Sequence, residues 1–245
     1  MANWRDPPTS AVGLNGLATD GRAAVYDAGL RSYMLSVYNY MASGVLLTGI
    51  VALLFAQSGM AQQILGGPGL LKYVVMFAPL VFVMVLSFGI NRLSTPAAQA
   101  LYWGYAGVMG LSLSSIFLVY TGGSIAQTFF ATAAAFAGLS LFGYTTKRDL
   151  SAMGTFLIMG VVGIFVAMLI NLFLKSTALD LAISFIGVLL FAGLTAYDTQ
   201  KIKSMYAYVA GTDMMGKSVV MGALTLYLDF INMFLFLLRF MGNRD

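Results

Sequence analysis

The sequence contains no cysteine and no histidine, and only 9% of its 245 residues are charged. Without cysteine there is no disulfide, thiolate nucleophile or cysteine metal ligand. Without histidine there is no Ser-His-Asp triad, no HExxH zinc site and no imidazole ligand for haem or copper. All nine acidic residues are Asp. Acid–base or cation chemistry would therefore depend on Asp, Lys, Arg, Tyr or backbone groups.

What the sequence has in excess is apolar residues, which make up 60% of the chain. Soluble domains carry roughly 25% charged residues, so this chain could not cover a water-facing surface. The net charge of +4 comes from basic residues scattered between apolar runs, which argues against nucleic acid as a partner. The composition predicts an integral membrane protein whose main partner is the lipid bilayer. We expect no cleaved signal peptide, because no apolar segment of that type follows Arg5.

Seven apolar runs are long enough to span a bilayer, which needs about 20 residues per helix. Backbone groups in lipid must bond internally, and runs that are apolar on all sides favour helices over barrel strands. We predict an all-α integral membrane protein, a seven-transmembrane-helix bundle in one domain (23–245) after a flexible tail (1–22). The predicted spans are 33–56, 73–90, 101–120, 124–144, 153–174, 181–197 and 219–238, and a longer polar link is predicted at 201–218.

The distribution of Lys and Arg predicts the orientation of the bundle. With seven spans and a cytoplasmic N-terminus, nine basic residues fall inside and four outside, as the positive-inside rule requires. The inside set is Arg5, Arg22, Arg31, Arg92, Lys147, Arg148, Lys201, Lys203 and Lys217; the outside set is Lys72, Lys175, Arg239 and Arg244. This orientation places the C-terminus outside.

Asp229 is the strongest functional signal, because it interrupts the last apolar run, LTLYLDFINMFLFLLRF. An aspartate at the centre of a membrane helix costs about 2.5–3.5 kcal/mol to insert. Asp229 lies ~15 Å into the span, near the middle of a ~30 Å hydrocarbon core. Lys217 and Arg239 flank the segment, so sliding the helix to expose Asp229 would bury one of them. The alternative is an aspartate that only forms a packing hydrogen bond to a neighbouring helix.

Asp198 and Arg92 fall at the cytoplasmic ends of the sixth and second predicted spans, at the inner mouth of the bundle. These span boundaries leave Asp198 and Asp229 up to half a membrane apart. We expect them to meet only if water or a broken helix end brings the mouth down towards Asp229. For Asp198 the alternative is an interfacial helix end with a local hydrogen bond.

If the two aspartates meet, their chemistry is specific. Two carboxyl groups in a low dielectric cannot both ionise cheaply, so the pair shares a proton and titrates as a unit. Arg92 nearby would favour the ionised form of one of them. Such a trio could switch between an Arg–Asp salt bridge and a hydrogen-bonded Asp–Asp pair as the pH falls. The deprotonated pair would bind Ca²⁺ weakly and transiently, because two carboxylates fall short of its usual six to eight ligands.

Five segments of the sequence resemble the Bax inhibitor-1 family, particularly its bacterial YccA-like branch. They are VYDAGLRSYMLSVYNYMASGVLLTG (25–49), YWGYAGVMGLSLSSIFLVYTG (102–122), FGYTTKRDLSAMG (142–154), AYDTQKIK (196–203) and LYLDFINMFLFLLRFMG (226–242). The resemblance implies seven helices with the last one central and wrapped by the other six. It also implies a bacterial inner membrane location.

The resemblance further implies a pH-sensitive calcium leak, with the carboxylate pair on Asp198 and Asp229 and a latch arginine at Arg92. Calcium would be the transported ion rather than a tightly bound cofactor, and no enzyme activity is expected. Some bacterial relatives are instead described as modulators of a membrane-bound AAA protease. That role makes this chain a binding partner, and the N-terminal tail is the segment a protease could engage.

Two further hypotheses have less support in the sequence. An intramembrane aspartyl protease would use two carboxyl groups that share a proton. However, Asp229 follows Leu226, Tyr227 and Leu228 rather than a GxG sequence, and the last span lacks a PAL-type segment. A small-molecule transporter usually has inverted repeats or paired broken helices, and neither is recognisable here.

Overall fold

The computed structural model describes the backbone of residues 11–243 and the side chains of residues 24–243. Within that range the chain forms eight α-helices and one 3-10 helix. The α-helices are α1 (Ala11–Gln57), α2 (Met60–Leu65), α3 (Leu71–Gly89), α4 (Thr95–Leu113), α5 (Gly122–Thr145), α6 (Ser151–Leu174), α7 (Thr177–Val209) and α8 (Met214–Met241), and the 3-10 helix Ser114–Leu118 extends α4.

Seven of these helices are long and apolar enough to cross a membrane: α1 from Ala24 onward, α3, α4 with its 3-10 extension, and α5 to α8. The prediction of an all-α bundle with seven membrane-spanning helices is therefore confirmed. Residues 1–10 of the predicted tail lie outside the described residues. The rest of the predicted tail, from residue 11 to residue 22, is helical, because α1 begins at Ala11.

The connection between α7 and α8 differs from the sequence prediction. Residues 201–218 were expected to form a polar link, but α7 continues to Val209 and α8 begins at Met214. The extension is helical because its apolar residues recur at helical spacing, so that Ile202, Tyr206 and Val209 are buried on one face. The turn after α7 contains Gly211 at a φ of 74°, a left-handed conformation that glycine adopts without strain.

The last helix, α8, forms the centre of the bundle. In its membrane span 72% of the residues are buried, against 11–33% in the other six spans. It packs against α1, α4, α5 and α7, whereas α3 packs mainly on α4 and α6 mainly on α7. The prediction of a central last helix is confirmed. The six remaining helices do not form a single ring around it, because α3 and α6 lie in an outer layer.

Aromatic side chains on α8 fill the space between it and its neighbours. The ring of Phe230 meets that of Phe136 on α5 edge to face, with centroids 5.6 Å apart. Phe236 stacks on Phe191 of α7 at 5.8 Å. Such pairs contribute about 0.5–1.5 kcal/mol each beyond the area that they bury. They fix the rotation of α8, and with it the direction of the polar residues that α8 carries.

The basic residues gather at one end of the bundle. The Tyr33 hydroxyl lies 2.7 Å from the Ser218 hydroxyl, and Lys203 Nζ donates to the Tyr144 carbonyl at 2.7 Å. The first contact joins α1 to the start of α8, and the second joins the end of α7 to the end of α5. We call this the basic end; its described basic residues are Arg31, Arg92, Lys147, Arg148, Lys201, Lys203 and Lys217, while Lys72, Lys175 and Arg239 belong to the opposite end.

Candidate functional site

Two buried aspartates meet between α7 and α8. Asp198 on α7 is 8% exposed and Asp229 on α8 is 4% exposed. Their side chains are within hydrogen-bonding reach of each other. An ionised carboxylate only accepts hydrogen bonds, so a bond between two carboxyl groups requires a proton on one of them. The candidate site is therefore a pair of carboxyl groups that lie close enough to share a proton between two membrane helices.

Two continuous antiparallel helices bring the aspartates together. Asp198 lies eleven residues before the end of α7 and Asp229 fifteen residues after the start of α8. At 1.5 Å per residue they are ~16 Å and ~22 Å from those helix ends. Of the two routes expected from the sequence, water or a broken helix end, the broken helix end is not needed, because both helices are continuous at the pair. The sequence placed Asp198 at a helix end, but α7 continues well beyond it, so that both aspartates lie inside the bundle.

Few charged or hydrogen-bonding groups offset the burial of the pair. Lys201, one helical turn after Asp198, is the cation whose charge acts on that aspartate. The Oδ2 atom of Asp229 is buried and has no hydrogen-bond partner among the described residues. Burying an ionised carboxylate in a protein costs on the order of several kcal/mol unless hydrogen-bond donors surround it. The site thus suits a pair that carries less than its full double charge.

A series of hydroxyl groups connects α7 to α5 and α1 beside the pair. Thr199, the residue after Asp198, lies 3.0 Å from the Ser140 hydroxyl of α5. Ser140 in turn lies 2.7 Å from the hydroxyl of Tyr38 on α1. Tyr38 and Ser140 were not among the residues predicted from the sequence. They are far apart in the chain and carry no charge, so no local pattern indicates them.

A glycine allows α5 to approach α7 closely at the level of the pair. A Cβ atom on Gly143 would collide with the backbone carbonyl of Ala196, two residues before Asp198. Only a residue without a side chain fits at this contact. Gly143 thus fixes the distance between α5 and the part of α7 that carries Asp198.

Arg92 is not brought to the aspartates. It is exposed in the turn between α3 and α4. Within residues 24–243 the ion pair that forms is Arg239 with Asp180, and Arg92 has no such partner. Its expected role as a latch stays a prediction.

The Arg239–Asp180 ion pair joins α8 to α7 at the end opposite the basic residues. From the sequence, Arg239 was expected only to flank the last span and to lie on the outside. The pair is partly exposed, with 33% of the arginine side chain and 22% of the aspartate side chain accessible. The same two helices are therefore linked twice, by the carboxyl pair and by this ion pair.

The carboxyl pair has the chemistry of a weak cation site. Among residues 24–243 no group of three or more His, Cys, Asp or Glu side chains is placed to hold a metal ion. Asp198 and Asp229 together offer four oxygens at most, and Ca²⁺ takes six to eight. Their hard carboxylate oxygens fit Ca²⁺ in kind but fall short in number.

Asp149, in the α5–α6 loop, differs from the buried pair in its surroundings. It is exposed, and its Oδ1 accepts a hydrogen bond from the Ser151 backbone amide at 2.9 Å. Hydrogen bonds from the Ser151 side chain and backbone lower the pKa of Asp149. Asp149 therefore stays ionised across the physiological pH range, and it provides a matched control for the buried pair.

The helices and the buried pair define an integral membrane protein with seven spans, the last of which is central. Known sequences identify the family. The family model described as "Inhibitor of apoptosis-promoting Bax1" matches residues 30–245. The Rickettsia prowazekii protein RP147 is 49% identical over 229 residues, covering 93% of this chain and 96% of the relative.

Two further bacterial proteins are similarly close. The Escherichia coli (strain K12) inner membrane protein YbhL is 49% identical over 219 residues, covering 89% of this chain and 94% of YbhL. A Caulobacter vibrioides protein is 48% identical over 233 residues, covering 89% of this chain and 92% of the relative. The chain belongs to the Bax inhibitor-1 family, as the resemblance of its five segments predicted.

Proposed function

We propose that this protein is a passive, pH-sensitive leak channel for Ca²⁺ and other cations, gated by Asp198 and Asp229. The observation that carries the proposal is the contact between these two buried side chains. The contact joins the central helix α8 to α7. Because these two helices contact most of the others, a change at the pair would affect most of the bundle.

The two protonation states of the pair differ in charge and in geometry. With the proton present, the carboxyl groups are hydrogen-bonded and hold α7 against α8. Without it, two like charges in a low dielectric repel each other, and they attract a cation instead. Cation flux past the pair therefore depends on pH, and the pair acts as one unit rather than as two independent groups.

The pair favours transient over stable binding of the transported ion. Four carboxylate oxygens are too few for a Ca²⁺ storage site, and weak binding is what conduction requires, because an ion must leave as readily as it enters. Lys201 lies one turn from Asp198 and adds a repulsive charge for an approaching cation. This further favours a slow leak over a fast channel.

We also propose that the protein resides in a bacterial inner membrane with its basic end in the cytoplasm. Support comes from the grouping of basic residues at one end and from the relative named as an inner membrane protein. With seven spans, the N-terminus then lies in the cytoplasm and the C-terminus on the other side.

Ca²⁺ uptake into proteoliposomes tests the channel. Purified protein is reconstituted, and uptake is followed with an enclosed calcium indicator across pH 5 to 8, beside the Asp229→Asn variant. We expect an uptake above that of empty vesicles that changes with pH, and a variant whose uptake no longer does. Absence of uptake at every pH would refute the channel and favour the binding-partner hypothesis, in which the protein acts on a membrane protease.

A further inference from the structure

A large crevice separates α1 from α5 on the outer surface of the bundle. Both helices pack against α7 and α8 but not extensively against each other. The space between them has a volume of about 780 Å³, and Phe230 of α8 lies among its lining residues. Its lining is mostly apolar, and it is of the size that holds small organic ligands, about 300–1,000 Å³.

The crevice has one polar end and one apolar end. Arg31 of α1 and Tyr144 of α5 line it at the basic end, whereas Leu46 and Phe129 line it at the far end. On each helix the two ends are fifteen residues apart in sequence, so the crevice is ~22 Å long. This length exceeds one leaflet of a ~30 Å hydrocarbon core. The crevice therefore runs from the polar surface of the membrane past its middle.

The side of the crevice that faces away from the protein is exposed to the bilayer. Leu35, Leu46 and Leu141 along its rim are 51%, 64% and 62% exposed. In a helix bundle such side chains contact lipid acyl chains, since water is absent at that depth. An acyl chain can enter the crevice sideways without crossing a polar barrier.

Arg31 distinguishes this crevice from a second apolar cavity among the described residues. The cavity beside α6 and α8, of about 410 Å³, is also lined by an arginine, Arg239, but that residue pairs with Asp180. Within the described residues Arg31 has no ion pair and is exposed. A guanidinium at the polar end of an apolar crevice suits the phosphate of a lipid headgroup, which it can bind through two hydrogen bonds.

We propose that the crevice between α1 and α5 binds one anionic phospholipid, with an acyl chain along α5 and its phosphate at Arg31. Basic pockets between membrane helices on the cytoplasmic side bind lipid headgroups in this way. The site does not depend on the cation leak. It nevertheless adjoins the carboxyl pair, because Tyr38 and Ser140 line the crevice and Ser140 contacts Thr199.

Native mass spectrometry of the full-length protein in detergent tests the site. The protein is titrated with dioleoyl phosphatidylglycerol and, separately, with dioleoyl phosphatidylcholine. Ala137→Trp fills the crevice, since Ala137 is exposed and lines it. Ala135→Trp is its control, because Ala135 is exposed on the same helix but lies outside the crevice. Arg31→Gln removes the headgroup contact, and Lys147→Gln removes another exposed charge of the basic end.

We expect one saturable phosphatidylglycerol site that Ala137→Trp abolishes and Ala135→Trp retains. Arg31→Gln should weaken phosphatidylglycerol binding about fivefold. It should leave phosphatidylcholine binding unchanged, and Lys147→Gln should leave phosphatidylglycerol binding unchanged. Equal binding by the two tryptophan variants would overturn the proposal. So would a phosphatidylglycerol preference that survives Arg31→Gln, or a dimer that Ala137→Trp converts to monomer, since a second copy would then occupy the crevice.

Discussion

Gly143 on α5 packs directly against the backbone carbonyl of Ala196 on α7, two residues before Asp198. A methyl group at this position must push the two helices apart, because a backbone atom cannot move aside as a side chain does. We expect Gly143→Ala to destabilise the protein by about 1–3 kcal/mol, as other overpacked sites do, and to alter the pH dependence of flux. Thermal unfolding in detergent measures the first effect.

Gly138 provides the matched control for this variant. It lies on the same helix, and a Cβ atom there meets nothing within 4 Å. Gly138→Ala should leave stability unchanged or raise it by about 0.5–1 kcal/mol, because alanine is the better helix former. Equal effects of the two substitutions would contradict the close approach of α5 and α7.

The hydroxyl of Tyr38 is expected to stabilise the bundle through its contact with Ser140. Tyr38→Phe keeps the ring and removes the 2.7 Å hydrogen bond between α1 and α5. A hydrogen bond between membrane helices contributes about 0.6 kcal/mol on average and up to about 1.7. Thermal unfolding should reveal a loss within that range. Tyr40→Phe should have no effect, because the Tyr40 hydroxyl forms no hydrogen bond among the described residues; a similar loss there would refute the assignment.

The ion pair between Arg239 and Asp180 predicts a third stability effect. Because both side chains are partly exposed, Arg239→Gln should cost about 1 kcal/mol or less. Lys175→Gln, at the same end of the bundle, should cost nothing measurable, because Lys175 is exposed and outside the ion pair. The difference between the two should shrink at high salt. A difference that salt does not change would assign the effect to packing.

The orientation of the bundle predicts where a fused reporter is active. With the basic end in the cytoplasm, alkaline phosphatase fused after residue 243 should be exported and active. A fusion truncated in the turn after α7, at residue 212, should be inactive. Activity in the second fusion and not in the first would reverse the orientation.

Features set by hydropathy or by a single misplaced charge could be predicted from the sequence. The number of spans follows from long apolar runs, and Asp229 stands out because no other acidic residue interrupts one so deeply. The continuation of α7 beyond Asp198 was missed, because Lys201 and Lys203 make this segment resemble a loop in a hydropathy profile. Its buried face, with Ile202 and Tyr206, is the signal that helical periodicity offers.

Relationships between distant residues could not be predicted. Tyr38, Ser140 and Thr199 meet only because α1, α5 and α7 surround α8, and hydroxyl residues in membrane helices are too common to indicate partners. Arg239 resembled an ordinary flanking charge, because the sequence does not reveal that Asp180 lies opposite it. The predicted meeting of Arg92 with the aspartates depended on the alternation of the spans and on the family resemblance, and the structure leaves Arg92 exposed in its turn.

The central claim is that Asp198 and Asp229 act as one titrating unit. Ca²⁺ flux across pH 5 to 8 tests it in Asp198→Asn, in Asp229→Asn, in the double variant and in the Asp149→Asn control. Coupled groups give non-additive effects, so each single variant should lose the pH dependence as completely as the double variant, while Asp149→Asn keeps it. If the two single variants each retain part of the pH dependence and their effects add up to that of the double variant, the aspartates titrate independently and the account is wrong.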